Sequence, residues 1–139
     1  LEFVSQVTKG DFKMAVDTSI KVLVVDDFAT MRRIVRNVLK QLGYTHVVEA
    51  TDGSVALSAL KKEEIGLIVS DWNMPNMSGL ELLKAVRGDE KLKDIPFIMV
   101  TAEGMKDNVI EAVKAGVSNY LVKPFTPETF SEKLSAVFN

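Results

Sequence analysis

Asp26 and Asp27 directly follow the apolar run Ile20–Val25, Asp71 follows Leu67–Ser70, Thr101 follows Pro96–Val100, and Lys123 follows Asn119–Val122. Three carboxylates, a hydroxyl and an ammonium therefore interrupt four short apolar runs at the same end. Two like charges about 4 Å apart repel by about 4 kcal/mol at an effective dielectric near 20. Carboxylates brought that close take up protons or bind a cation. Oxygen ligands suit a hard ion such as Mg²⁺, which is usually held by one or two carboxylates, waters and a substrate phosphate. A carboxylate beside such an ion can act as a nucleophile and form an acyl phosphate. Lys123 would supply a positive point charge for a phosphoryl group, and Thr101 a hydroxyl for one of its oxygens. Together the residues describe a metal-assisted phosphoryl acceptor, in which positioning and charge neutralisation do most of the catalysis. Each also has a plainer reading alone. Asp after a strand is often a turn former or a helix cap, a Thr there is usually structural, and a lone Lys is usually solvated. The coincidence of all five at matching edges favours a site.

These residues meet only if the runs lie side by side. Ile20–Val25 (IKVLVV) reads as a strand buried on both faces. Further strands are expected at His46–Glu49, Leu67–Ser70, Pro96–Val100 and Asn119–Val122. A helical stripe opens at Thr30 with Met31, Ile34, Val35, Val38, Leu39 and Leu42, and Gly43 ends it. Helices are also expected over Ser54–Lys62, from Ser78 to Gly88, over Lys106–Ala115 with Val109, Ile110, Ala112 and Val113 inward, and over Thr126–Phe138. Thr126-Pro127-Glu128 suits a cap, a first-turn proline and a first-turn acid. Five strands alternating with five helices imply right-handed βαβ units, a parallel sheet and helices on both faces. Ligands of such sheets sit beyond the carboxyl ends of the strands, where the five polar residues stand.

Composition narrows the classes. The 139 residues suffice for one ordinary domain. The absence of cysteine removes disulfides, thiolate metal sites and thiol catalysis. A single histidine, His46, excludes a multi-histidine zinc site. A net charge of -2 argues against electrostatic nucleic-acid binding, and no apolar run approaches the roughly 20 residues of a membrane span. Residues 1–19 read as a leader, of which 1–13 are a tag or an upstream remnant, and residues 20–139 as the domain.

VVDD (Val24–Asp27), DWNMPNMSG (Asp71–Gly79), VTAE (Val100–Glu103) and YLVKPF (Tyr120–Phe125) resemble the receiver domains of two-component response regulators, from about Ile20 to Asn139. DDFATMRRIVRN (Asp26–Asn37), Trp72, Glu103, Tyr120 and Lys133 are most similar to the single-domain chemotaxis branch, and no output domain is expected after the last helix. The resemblance implies a flavodoxin-like (βα)5 fold with strand order 2-1-3-4-5. It implies that Asp71 is the phosphoacceptor and that Mg²⁺, with Mn²⁺ as a substitute, is held by Asp26, Asp27, Asp71 and the backbone carbonyl of Asn73. Asp26 would act largely through a metal-bound water. Lys123 and Thr101 would contact the phosphoryl group, Thr101 and Tyr120 would form the switch, and Lys106, Val109, Tyr120 and Lys133 would belong to the partner surface. It further implies a cis Lys123–Pro124 bond, a chemotaxis-type sensor histidine kinase and a flagellar motor switch protein as partners, a dedicated phosphatase, and a cytoplasmic monomer that binds neither nucleic acid nor membrane. Gly104 and Met105 depart from the branch, where Ala and a basic residue are common, which bears on the partner surface and the lifetime of the signal.

Other features have plain readings. Trp72 reads as a half-buried aromatic beside the acid pocket, Phe125 as core, His46 as an exposed residue at a strand start, and Lys61–Glu64 as a solvated helix end. Tyr120 by position alone reads as sheet core. Two other functions compete. A haloacid-dehalogenase-type phosphatase or phosphotransferase shares the Mg²⁺–aspartate chemistry but places its nucleophile in Asp-x-Asp after the first strand. A flavin carrier needs a Ser/Thr-rich phosphate loop where this chain has DDFATM.

Overall fold

The computed structural model describes residues 17–102 and 106–138. Strands β1 (Lys21–Val25), β2 (His46–Ala50), β3 (Leu67–Asp71), β4 (Phe97–Ala102) and β5 (Asn119–Lys123) alternate with helices α1 (Ala29–Gln41), α2 (Gly53–Lys62), α3 (Gly79–Arg87), α4 (Lys106–Lys114) and α5 (Pro127–Phe138). The sheet is parallel throughout, in the expected order β2-β1-β3-β4-β5. Residues 1–16, Glu103, Gly104, Met105 and Asn139 lie outside the described residues.

Alternation along the central strands builds two cores. Val22, Val24, Leu67, Val69, Ile98 and Val100 point to one face, where α1 brings Val35, Val38 and Leu39 and α5 brings Phe130 and Leu134. Leu23, Val25, Ile68, Phe97 and Met99 point to the other, against Ala56 and Leu60 of α2 and Leu82, Leu83 and Val86 of α3. Each fully buried Leu, Ile or Phe contributes about 1.5–3 kcal/mol relative to exposure. That burial fixes the register of the strands, and the register fixes what stands at their ends.

The boundaries differ from the sequence expectation in one useful respect. Asp71, Thr101 and Lys123 lie within β3, β4 and β5 rather than after them. The ladder runs on past the apolar residues: Asp71 pairs with Val100, Thr101 with Val122 and Ala102 with Lys123. The Trp72 N–H still donates to the Val100 carbonyl at 3.2 Å. The polar residues are thus held by sheet geometry instead of by loops.

Two helices bury less than their sequences suggest. Ile34 on α1 is exposed, and on α4 only Ala112 is buried, while Ile110 and Val113 are more than half exposed. A helix of nine residues lays one narrow stripe on the sheet, and residues one position away from that stripe are turned about 100° outward.

Candidate functional site

β1 and β3 are neighbours, so their carboxyl ends bring Asp26, Asp27 and Asp71 together. A carboxylate oxygen from each lies within 4.8 Å of the others. Asp26 and Asp71 are buried, and Asp27 is exposed. The Asp26 backbone N–H donates to the Ala50 carbonyl at 3.1 Å, continuing the β1–β2 ladder. Its side chain is oriented by the Phe28 N–H, which donates to Oδ1 at 2.9 Å. Its carbonyl accepts from Arg32 Nη1 at 2.8 Å, and Arg32 Nε also donates to Glu49 at 2.8 Å. Burial pushes the Asp26 carboxyl above its ordinary pKa. The Phe28 hydrogen bond opposes this, while the charges of Asp71 and Asp27 add to it and Lys123 offsets it.

Lys123 reaches across β4 from the end of β5 and places Nζ 2.8 Å from Asp71 Oδ1. The Lys123–Pro124 peptide is cis, as the resemblance implied. Thr101 is 1% exposed, and its hydroxyl reaches the Ala102 carbonyl only at 3.4 Å. That is beyond the usual range for an O–H donor, so a better acceptor would compete for it. Trp72 is half-buried next to the acids.

The turn after Asp71 folds back tightly. The Gly79 N–H donates to the Trp72 carbonyl at 2.8 Å, and a Cβ on Gly79 would lie within 2.2 Å of the Asp71 carbonyl oxygen. Only glycine lets α3 begin this close to the acid strand. Ser78 and Glu81 close the turn with reciprocal side chain–backbone bonds at the start of α3. Asn73 is exposed in this loop.

Three carboxylates against one ammonium make a hard, anionic oxygen set of the kind that fits a small divalent cation. Among the described residues this is the group of acids arranged for one. The expected switch and partner residues gather nearby. Thr101 pairs with Val122 and Met99 with Tyr120, so the period of two puts Thr101 and Tyr120 on one face of the sheet. Both line a pocket of about 390 Å³ with Ala102, Lys106, Val109, Ile110 and Val122. Lys133 Nζ stands 4.5 Å from the Tyr120 ring centroid. Tyr120 is neither plain core nor fully exposed: it joins the core beneath α3 at one edge and the pocket at the other.

Sequence reasoning missed Asp52 and Asn76. Asp52 Oδ2 accepts from Asn76 Nδ2 at 2.8 Å, tying the β3–α3 loop to the start of α2. The Asp-Gly-Ser run before α2 signals a cap, but nothing in it points 24 positions ahead.

Residues 22–135 match the family described as the response regulator receiver domain, and the chain belongs to that family. It is 52% identical to the chemotaxis protein CheY of Pseudomonas aeruginosa over 118 residues, 85% of this chain and 95% of that protein. It is also 52% identical to the chemotaxis protein CheY-3 of Vibrio cholerae over 120 residues, 86% of this chain and 92% of the relative. Among solved structures, the chemotaxis response regulator CheY4 of Vibrio cholerae superposes with a TM-score of 0.79 at 40% identity, covering 86% of this chain and 98% of that one. The chain is therefore a CheY-like receiver of two-component signalling.

Proposed function

We propose that the protein is a phosphorylation-activated switch in chemotaxis, which takes a phosphoryl group from a phosphohistidine of a sensor kinase onto Asp71. The observation that carries this reading is the Asp71 carboxylate with Lys123 Nζ 2.8 Å from one oxygen and two further carboxylates within 4.8 Å. It combines a nucleophile, a counter-charge and oxygen ligands at one strand edge. An Asp71 oxygen attacks phosphorus, the bond from phosphorus to the donor imidazole breaks, and the imidazole leaves with that electron pair. Mg²⁺, or Mn²⁺ in its place, would be held by Asp26, Asp27, Asp71 and the Asn73 carbonyl and would neutralise charge on the transferring oxygens. Lys123 then holds the phosphoryl group by its charge, and the Thr101 hydroxyl turns from its long bond with Ala102 to donate to a phosphoryl oxygen. Water later attacks phosphorus, the acyl phosphate bond breaks, the Asp71 carboxylate is restored and inorganic phosphate is released.

The movement of Thr101 frees space in the pocket it shares with Tyr120. Turning of that ring would alter the face made by Lys106, Val109, Tyr120 and Lys133. On this reading the partners are a chemotaxis-type kinase, the flagellar motor switch protein and a dedicated phosphatase, and the protein works as a monomer in the cytoplasm. Incubation with a small-molecule phosphodonor and Mg²⁺ tests the function class. A switch gains one phosphoryl group and releases phosphate slowly, whereas many turnovers per minute would mark a phosphatase and overturn the reading.

A further inference from the structure

The β3–α3 loop, residues 72–78, leads directly from Asp71 and contains Asn73. Three features join it to the start of α2. Asn76 adopts left-handed backbone, with φ of 65°, and its Nδ2 donates to Asp52 Oδ2 at 2.8 Å. The Gly53 N–H donates to the Met77 carbonyl at 3.2 Å. The backbones approach so closely that a Cβ on Gly53 would lie 2.9 Å from the Met77 carbonyl oxygen. Asp52 is buried, and its two oxygens serve different elements. Oδ1 accepts from the Ser54 and Val55 N–H groups at 2.8 and 3.0 Å and from the Ser54 hydroxyl at 2.8 Å. One oxygen is enough to cap a helix. The bond from Oδ2 to Asn76 is surplus to that role and acts on the loop.

We propose that Asp52 is a positioning residue for the cation site: through Asn76 it sets the course of the loop that carries the Asn73 carbonyl past Asp71. The inference rests on the cation reading above. A backbone carbonyl is aimed by its loop alone, with no side-chain torsion to correct a misplacement. Groups that hold a metal ligand in place typically change affinity by about 10–100-fold when lost. The tether leaves the carboxylates themselves untouched, so its loss should weaken cation binding without abolishing it.

Four variants separate the tether from the cap and from the charge. Asn76→Gly keeps left-handed backbone accessible and removes the donor. Asp52→Ser keeps a good N-cap and removes the second oxygen. Asp52→Asn removes the charge but restores the bond once the Asn76 amide flips. The double variant Asp52→Ser, Asn76→Gly closes the cycle. Mg²⁺ is titrated while Trp72 emission is followed, and amide exchange over residues 72–78 is measured on the metal-free proteins. Asn76→Gly and Asp52→Ser should each weaken Mg²⁺ binding about tenfold and speed exchange in the loop. The double variant should be no weaker than the weaker single, and Asp52→Asn should stay close to wild type. Wild-type Mg²⁺ affinity and exchange in both single variants would overturn the positioning role while leaving the cation reading intact. A loss in both Asp52 variants with none in Asn76→Gly would overturn it in favour of a charge effect. A wild-type protein whose Mg²⁺ response persists in Asp27→Ala would overturn the cation reading and this inference with it.

Discussion

Asp26 and Asp52 are both buried carboxylates, and their surroundings drive them in opposite directions. Asp26 gains one backbone hydrogen bond but loses its water beside two like charges, so its pKa rises. Between its ordinary value of 3.8 and that higher value the folded state binds the extra proton. Its contribution to stability is therefore present below this window and declines as pH rises through it. In chelator-treated protein Asp26→Asn should melt higher at neutral pH, by roughly 4 °C if the relief is about 1 kcal/mol. Added Mg²⁺ should narrow or reverse the difference in thermal melts. Asp52 is lowered to about 2 by the Val55 N–H, the Asn76 amide and the Ser54 hydroxyl and N–H. Its contribution is present above the unfolded value near pH 4 and is lost as pH falls toward 2. Melts between pH 5 and 2, described on this basis, should show a steeper acid limb in wild type than in Asp52→Asn. The acids of the site were legible in the sequence because they break apolar runs. The environment that sets each charge was not, because it comes from Phe28, Asn76 and Lys123 at unrelated separations.

At the scale of elements, Arg87 holds three segments together. Its Nε donates to the Gly116 carbonyl at 2.8 Å, and Nη1 donates to the carbonyls of Lys93 and Ile95 at 3.0 and 2.6 Å. Nη2 lies 3.3 Å from the Ser118 hydroxyl, which itself accepts from the Phe97 N–H at 3.0 Å. The end of α3 is thereby fixed to the entrances of β4 and β5, the strands that carry Thr101 and Lys123. Arg87→Ala should cost about 2–3 kcal/mol in urea unfolding, and Arg87→Lys should recover only part of it, because an ammonium cannot span the fork. A wild-type midpoint for Arg87→Ala would refute the role. On sequence grounds Arg87 is one more basic residue in a last helical turn. Three of its four partners are backbone carbonyls of loops, which carry no residue code. The exposure of Ile110 and Val113 was hidden for a related reason. Period places them near the apolar stripe, but the width of the stripe depends on how α4 meets the sheet.

For the whole molecule, the proposed function makes phosphorylation of Asp71 a shift between conformers. A charge-assisted hydrogen bond from Thr101 to a phosphoryl oxygen is worth roughly 1.5–3 kcal/mol. That changes a two-state ratio by about tenfold to a hundredfold, enough for a switch and too little for a locked state. Some active-like conformer should therefore exist before phosphorylation. Lys133 over the Tyr120 ring adds roughly 0.5–1 kcal/mol to the ring position in the resting structure. Thr101→Ala should accept phosphate on Asp71 yet lose most of the phosphorylation-dependent gain in partner affinity, read in a binding titration with beryllofluoride. A full gain in that variant would mean that the coupling bypasses the Thr101–Tyr120 pocket.

The assignment of Asp71 is tested most directly by locating the modification. Wild type and Asp71→Asn are incubated with phosphodonor and Mg²⁺, and the label is mapped by peptide mass spectrometry. Wild type should carry a single phosphoryl group on the peptide containing Asp71, and Asp71→Asn should carry none. Stoichiometric label on another residue of the variant would contradict the assignment.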